Sequence, residues 1–269
     1  MTRRLRRLPG YLFLGFAALA SVFPLYYMAV SATNTSQDVL ASRLIPGSNL
    51  MANFESLVTQ QPLWSSVWHS TVIAVSTTVL AVVITSIAGY GFEVYHTRAK
   101  DRLMGFLLLA VMIPFAATMI PLFRLFADLG MVNSPLAVIL PAISTPFLIL
   151  LFRQASRSFP REIIEAARLD GLKELAIFAR IYLPTMRPTF AAAAVITFMT
   201  AWNNFLWPKV ILISNEYQTL PILLSNIRAG YVTDYGMLML AVLIASLPAM
   251  VIFLILQRSF AEGITGAIK

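Results

Sequence analysis

The chain contains six long apolar stretches, and none of them includes Asp, Glu, Lys or Arg. Each is long enough for a helix to cross the hydrocarbon core of a bilayer, which takes about 20 residues. Their continuous hydrophobicity favours helices over the alternating strands of a membrane barrel. We predict an all-α polytopic membrane protein that forms a single transmembrane domain over residues 1–269. Its six predicted transmembrane helices cover about 11–30, 71–92, 103–122, 134–152, 188–207 and 235–256.

The composition agrees with a membrane protein. Only 12% of the residues are charged and 58% are hydrophobic, whereas soluble domains contain about 25% charged residues. Most of the 20 Lys and Arg residues lie at the two ends of the chain and in the second-to-third and fourth-to-fifth connections. This asymmetry predicts that both termini are cytoplasmic. The net charge of +8 is therefore explained by topology, and no nucleic-acid partner is predicted.

The N-terminus resembles a secretory signal peptide, because RRLRR precedes the apolar run YLFLGFAALA. Ala18 and Ala20 would suit a cleavage site. The apolar run nevertheless continues to Val30, which is longer than a typical signal-peptide core. We therefore expect an uncleaved first transmembrane helix.

Several kinds of chemistry are absent from the sequence. It contains no cysteine, so thiol chemistry and disulfides are excluded. It also contains no phosphate-binding loop of the G-x-x-x-x-G-K-[ST] type, so this chain is not expected to bind ATP in that way. The two histidines, His69 and His96, fall at opposite ends of predicted spans, and no metal site is expected. The predicted spans also lack the ionisable residues of a proton relay. An intramembrane enzyme and a proton-driven carrier are both disfavoured.

Prolines occur in or beside several predicted spans. Each removes a backbone hydrogen bond and tends to kink a helix. Membrane helices also tolerate proline without functional consequence, so the sequence alone leaves open whether these spans flex around a pathway. The prolines are Pro24, Pro114, Pro121, Pro141, Pro146 and Pro248.

A charged segment between the fourth and fifth spans predicts a short helix at Pro160–Asp170. Pro160 suits a first helical turn, and Gly171 suits a left-handed C-terminal stop. A helix of this length is unstable alone in water and must pack on something. Its small apolar strip favours docking to another protein over a position on lipid headgroups. Ile163, Ala166 and Ala167 lie on one side with Asp170 at its edge, and Ile164 and Ala167 share a turn with Gly171.

A second amphipathic helix is predicted at about Lys173–Tyr182. Its bulky residues suit the headgroup boundary or packing on the spans. Pro184 then ends this helix and directs the chain towards the fifth span.

Polar side chains form one stripe on the fifth span, because Thr197, Thr200 and Asn204 recur at helical spacing. Asn203 is adjacent, and Trp202 could stack on a sugar ring. Hydroxyl and amide groups could bind an uncharged, hydroxylated substrate. They could equally hold membrane helices together, with the tryptophan at the membrane interface. Both alternatives remain open from the residues alone.

The charged segment resembles the EAA loop of the permease subunits of bacterial binding-protein-dependent ABC importers. The matching residues are Glu165-Ala166-Ala167, Asp170-Gly171, Phe178, Ile181, Leu183-Pro184 and Pro188. Other stretches resemble the carbohydrate branch of that family, the maltose-type permeases. These are MIPFAATMIPLFRLFADLGMVNSPLAVILP, AWNNFLWP, TLPILL and QRSFAEGITGAIK.

The resemblance implies a type I ABC importer transmembrane domain in the bacterial inner membrane. It implies that a coupling loop at about 157–187 docks on an ATPase subunit through Ile163, Ile164, Glu165, Ala166, Ala167, Asp170 and Gly171. The C-terminal tail would also reach the ATPase through Gly263, Thr265 and Gly266. The implied partners are a second permease subunit, two ATP-binding subunits, an extracytoplasmic solute-binding protein and the lipid bilayer. This chain would bind no cofactor, because the partner ATPase uses ATP and magnesium.

The expected substrate is a mono- or oligosaccharide, with a polyol or a glycerol-phosphate-type solute as the alternative. A membrane scaffold without transport activity is less favoured. Two positions depart from the family pattern. Leu172 stands where many relatives carry alanine, which predicts an altered contact at the rim of the docking helix. Asn204 stands where relatives often carry an acid, which makes the predicted substrate site more neutral.

Overall fold

A computed structural model describes residues 8–230 and 233–266, with side chains over 10–230, 233–252 and 254–255. All regular elements in these ranges are helical. The α-helices are α1 Leu8–Ser31, α2 Ser36–Leu40, α3 Leu50–Gln60, α4 Leu63–Val94, α5 Arg98–Val111, α6 Phe115–Asp128, α7 Pro135–Ile139, α8 Pro146–Arg157, α9 Arg161–Leu169, α10 Glu174–Ile177, α11 Leu183–Thr185, α12 Arg187–Trp202, α13 Leu206–Ile211, α14 Leu220–Arg228 and α15 Tyr235–Gly266. Short 3-10 helices cover Leu140–Ala142 and Asn215–Tyr217, and a π-helix covers Phe178–Tyr182.

Three of these helices are individually long and apolar enough to cross a membrane. They lie at Gly10–Ser31, Leu63–Val94 and Tyr235–Ile252, matching the first, second and sixth predicted spans. The third predicted span is two helices, α5 and α6, bent by 98°, and the fourth is a pair bent by 42°. The described residues therefore hold three candidate spans, or up to five if each bent pair counts as one. The fifth predicted span corresponds to α12, which has only 16 residues, so the six-span count remains a prediction.

A proline lies at each bend. Pro114 precedes α6 with extended backbone (φ −65°, ψ 135°), and Thr145 is held extended before Pro146 (ψ 129°). The residue before a proline is disfavoured from helical geometry, and proline offers no N–H for the preceding turn. The apolar run therefore continues through each break while the helix does not. Pro24, Pro121 and Pro248 by contrast lie inside continuous helices.

Backbone contacts divide the chain into two compact units. One contains the described residues of Met1–Trp64 with Ile222–Leu247. Within it, the buried Asn53 side chain donates to the carbonyl oxygens of Ala32 and Asn34 at 2.9 and 3.0 Å. These bonds satisfy backbone groups where the chain leaves α1, and they fix α3 against that point.

The second unit contains Ser65–Pro221 and Pro248–Lys269, of which the described part carries the residues discussed below. Its apolar interior includes Leu148 and Phe152 of α8, Ala81 of α4 and Ala193 of α12. The indole of Trp207 is also buried and donates to the carbonyl oxygen of Ala137 at 2.9 Å. Small residues thus bring α4, α8 and α12 together.

Candidate functional site

The predicted docking helix is present as α9, and its end is a complete Schellman motif. Gly171 adopts a left-handed φ of +80°. The Gly171 N–H donates to the carbonyl of Arg168, and the Leu172 N–H donates to the carbonyl of Ala167, both at 3.0 Å. These are the two bonds that define the motif, and glycine adopts the required conformation without steric cost. The predicted glycine stop is therefore confirmed.

One face of α9 packs inside this chain. Ile164 and Ala167 are each only 4% exposed. They belong to a core, here called the aromatic core, whose other buried members are Tyr90, Phe159, Ile177, Phe178 and Tyr182. Ile164 and Ala167 therefore hold α9 in place and are not free to form a docking face, in contrast to the expectation from the sequence.

Tyr182 is the centre of the aromatic core and is fully buried. Its hydroxyl shares a 2.7 Å hydrogen bond with the Ser156 hydroxyl, which also donates to the Phe152 carbonyl at 2.8 Å. Burial raises the pKa of the Tyr182 hydroxyl, and the bond with Ser156 opposes that shift. The ring lies 4.8 Å from that of Tyr90 in α4. The π-helix therefore ties the segment after α9 to both α4 and α8.

An adjoining face of α9 is exposed and borders a shallow depression. Ile163, Ala166 and Asp170 line it, together with Glu162, Leu172, Ile181 and the largely buried Ala167. Ile163 is 42% exposed, and Glu165 and Gly171 also reach the surface. Five of the seven predicted docking residues thus remain available to a partner.

Leu169 is a further exposed residue of α9 that the sequence reasoning missed. It is 90% exposed at the last position of α9. An apolar side chain among Arg, Asp and Glu on a short helix was a signal that could have identified it. Its exposure leaves this side chain available for contact with another surface.

Two charged residues clamp the far end of α9. Arg168 Nε donates to Glu174 Oε1 at 2.6 Å. This hydrogen bond holds the pKa of Glu174 below its ordinary value, although burial acts in the opposite direction. The Arg168 guanidinium also lies 5.9 Å from the ring centre of Tyr95. The clamp orients α10 relative to α9 without entering the aromatic core.

A second charged cluster lies at the start of α9 and was not predicted. Glu93, the penultimate residue of α4, is 5% exposed. Its carboxylate lies within 4 Å of arginine nitrogens from α8 and α9, namely those of Arg153, Arg157 and Arg161. No local sequence pattern indicates this cluster, because these arginines follow Glu93 by 60 residues or more.

The polar stripe of the fifth predicted span borders a cavity of ≈ 200 Å³ between α4, α8 and α12. Thr197, Thr200 and Asn204 line it, as the shared stripe predicts. Thr197 and Thr200 each donate to the carbonyl four residues earlier, at 2.7 Å. Their hydroxyl oxygens can therefore still accept hydrogen bonds.

Thr77 of α4 adds a further hydroxyl to the cavity lining. It is 2% exposed, and its Oγ1 makes no hydrogen bond within the described part of the chain. A buried hydroxyl without a partner is costly, at about 1–3 kcal/mol. No sequence pattern connected this residue with the fifth span.

The two other predicted pathway residues lie outside the cavity lining. Trp202 is 4% exposed and stacks on Phe198 at a ring distance of 5.6 Å. Asn203 is exposed and donates to the Met199 carbonyl at 2.8 Å. The structure therefore brings together three of the five predicted residues and leaves Trp202 as a packing residue.

The predicted tail contacts Gly263, Thr265 and Gly266 fall at the end of α15. Their side chains lie outside the described residues, so the predicted ATPase contact of this tail stays a prediction.

The family model and the relatives that match this chain all describe transport permeases. Residues 81–266 match the model of the binding-protein-dependent transport system inner membrane component. The lactose transport system permease LacG of Rhizobium radiobacter is 41% identical over the full length of both chains. The arabinooligosaccharide permease AraQ of Halalkalibacterium halodurans is 36% identical over 97% of this chain and 94% of its own. The sn-glycerol-3-phosphate permease UgpE of Escherichia coli is 30% identical over 96% of this chain and 95% of its own.

The fold is also that of a solved transporter. A crystal structure of a bacterial ABC transporter involved in the import of the acidic polysaccharide alginate matches with a TM-score of 0.83 at 20% identity, over 96% of this chain and 97% of that one. This chain therefore belongs to the binding-protein-dependent transport system inner membrane components and is an integral membrane permease of ABC importers.

Proposed function

We propose that this chain forms half of the membrane pathway of an ATP-driven carbohydrate importer. In this proposal it is a single transmembrane domain with six spans and cytoplasmic termini. It pairs with a second permease subunit above two ATP-binding subunits, and an extracytoplasmic solute-binding protein delivers the sugar. The observation that carries the proposal is the exposed face of α9, which is backed by the aromatic core. A rigidly held surface of this kind suits the transfer of motion from a partner that hydrolyses ATP.

The docking contact would use Ile163, Glu165, Ala166, Asp170 and Gly171, with Leu169 added from the structure. The small side chain of Ala166 allows close approach, and Leu169 projects far enough to fill a pocket on the partner. ATP chemistry is assigned to the partner, since this sequence contains no phosphate-binding loop.

The cavity supports an uncharged substrate. Thr77, Thr145, Thr197, Thr200 and Asn204 supply its hydroxyl and amide groups, and the remaining lining residues are apolar. A glycerol phosphate would carry negative charge, which buried sites neutralise with Lys, Arg or a metal ion. Identity to the lactose and arabinooligosaccharide permeases is also higher than to the glycerol-phosphate permease. A neutral sugar is therefore the preferred substrate, with a polyol or glycerol phosphate as the second candidate.

The decisive experiment uses the assembled complex in lipid vesicles, with its solute-binding protein. Lactose, an arabinooligosaccharide, glycerol and sn-glycerol 3-phosphate are added separately, and the ATPase rate is measured. We expect one of the two sugars to stimulate hydrolysis. Stimulation by glycerol or glycerol phosphate alone would replace the sugar assignment, and uptake that persists without any ATP-binding subunit would contradict the importer itself.

Replacing Thr77 with valine is expected to weaken sugar uptake without destabilising the protein. Valine keeps the shape and removes a hydroxyl that has no partner within the described residues. Loss of one hydrogen bond to the sugar would raise the KM of uptake roughly fivefold, which corresponds to about 1 kcal/mol. The matched control is Thr78→Val on the same helix, because Thr78 donates to Ala74 and does not line the cavity. An equal KM for both variants would remove Thr77 from the pathway.

A further inference from the structure

The Glu93 carboxylate has three arginine partners on two other helices. Arg153 Nε lies 3.4 Å from Oε2. The other oxygen, Oε1, is shared: Arg161 Nη2 lies 3.4 Å from it and Arg157 Nε lies 3.8 Å from it. Arg157 is the last residue of α8 and Arg161 is the first residue of α9. One buried oxygen thus faces two cations on either side of the connection that leads into the docking helix.

The three arginines differ in how firmly they are held. The Arg153 side chain is 11% exposed and also pairs with Asp101 at the start of α5. The Arg157 and Arg161 side chains are 63% and 68% exposed. Arg153 is therefore a fixed partner, whereas the other two can leave Glu93 for water at little cost.

The distances argue against a rigid link at Oε1. Charge-assisted hydrogen bonds between nitrogen and carboxylate oxygen are about 2.7–2.9 Å long, and both contacts at Oε1 are longer. The Arg153 contact at Oε2 is as long as the Arg161 contact, so Arg153 is distinguished by its burial and its second partner Asp101 and not by distance. Neither Arg157 nor Arg161 therefore locks the carboxylate. If one of them withdraws, the other remains close enough to neutralise a charge that would otherwise be buried with a single partner.

Stability alone gives no reason for this arrangement. Replacing a buried ion pair with apolar residues is often neutral or stabilising, whereas removal of one partner leaves a costly unpaired charge. A spare cation is useful when one partner has to move. The spare cation is Arg157 of α8, and the partner that would move is Arg161 of α9.

We propose that Glu93 Oε1 exchanges Arg161 for Arg157 when the first turn of α9 shifts, so that the buried carboxylate is not left with a single partner while Ile164 and Ala167 stay in the aromatic core. The position with Arg161 nearer is the resting one, and the exchange accompanies ATP-driven closure. The proposal rests on the proposed function, in which α9 moves with an ATP-binding subunit. It assigns to Glu93, Arg157 and Arg161 a positioning role in coupling.

The test compares Arg161→Gln and Arg157→Gln in the complete complex. Arg161→Gln weakens the resting position, so the ATPase rate without sugar is expected to rise roughly two- to fivefold, as for a partly exposed ion pair. Arg157→Gln weakens the exchanged position, so the sugar-stimulated rate is expected to fall by a similar factor while the rate without sugar is unchanged. Both side chains are largely exposed, and the variants should fold normally.

Two controls separate coupling from general damage. Arg180→Gln removes an exposed arginine of the same loop and should leave both rates unchanged. In a Glu93→Gln background the two substitutions should have no further effect, because their shared partner is gone. Equal effects of Arg157→Gln and Arg161→Gln, or effects that persist in that background, would overturn the exchange. A wild-type complex that sugar and binding protein do not stimulate would overturn the proposed function and the exchange together.

Discussion

Replacing Gly89 with alanine is expected to disrupt the packing of α4 on α8 and to strongly reduce the amount of folded protein in the membrane. A methyl group on Gly89 would lie 2.5 Å from Phe152 Cβ, 2.7 Å from the Arg153 backbone nitrogen and 2.8 Å from the Ile149 carbonyl oxygen. Two of these contacts are with backbone, so α8 as a whole would have to shift. Overpacking of this kind costs about 1–3 kcal/mol or more.

The same helix contains a matched control in Gly91. A methyl group there meets no atom within 4 Å. Both substitutions gain about 1 kcal/mol of helix propensity, so only the steric term differs between them. Yield from detergent extraction and the midpoint of thermal unfolding should both fall for Gly89→Ala and stay equal or rise for Gly91→Ala. If the two variants were equally stable, the close approach of α4 and α8 would be incorrect.

The effect of Gly89→Ala should extend to the charged cluster. Gly89 lies one helical turn before Glu93, and its contact on α8 includes Arg153. A shift of α8 would therefore separate the fixed partner from the buried carboxylate. Residual Gly89→Ala complex should show poor coupling of ATPase activity to sugar, in addition to its low yield.

Several features could be predicted because they depend on neighbouring residues in the sequence. The helices at Gly10–Ser31, Leu63–Val94 and Tyr235–Ile252 follow from unbroken apolar runs. The stop of α9 follows from Gly171, and the shared stripe of Thr197, Thr200 and Asn204 follows from helical spacing. In each case the interactions that decide the structure are local.

The features that were missed depend on distant parts of the chain. Hydropathy does not register the 98° bend before Pro114, because apolar residues continue on both sides of it. The burial of Ile164 and Ala167 is decided by Tyr90 and Tyr182, which approach α9 only in the folded protein. Glu93 likewise adjoins the second predicted span as a single acid. Its ion-pair partners are arginines on α8 and α9, which are distant in the sequence.

Replacing Ala166 with glutamate is expected to abolish ATP-coupled uptake while leaving the permease folded. Ala166 lies on the exposed face of α9, so the new side chain fits in the isolated subunit. In the proposed complex it would place an unpaired charge at a close contact with the ATP-binding subunit. A loss of about 2 kcal/mol or more at such a position weakens association roughly thirtyfold.

The adjacent substitution Ala167→Glu should fail for a different reason. Ala167 is 4% exposed and packs in the aromatic core. A carboxylate there would be buried among apolar rings without a cation, which costs several kcal/mol. We expect this variant to be absent from the folded fraction, whereas Ala166→Glu is present at the wild-type level but does not co-purify with the ATP-binding subunit.

Ala179→Glu is the control for charge alone, because Ala179 is exposed in the π-helix of the same loop. It should leave both abundance and co-purification unchanged. If Ala166→Glu retained full uptake, the exposed face of α9 would not be the docking surface. If Ala167→Glu folded normally, the aromatic core would not hold α9. Two neighbouring alanines with identical chemistry thus separate the surface that couples from the surface that supports it.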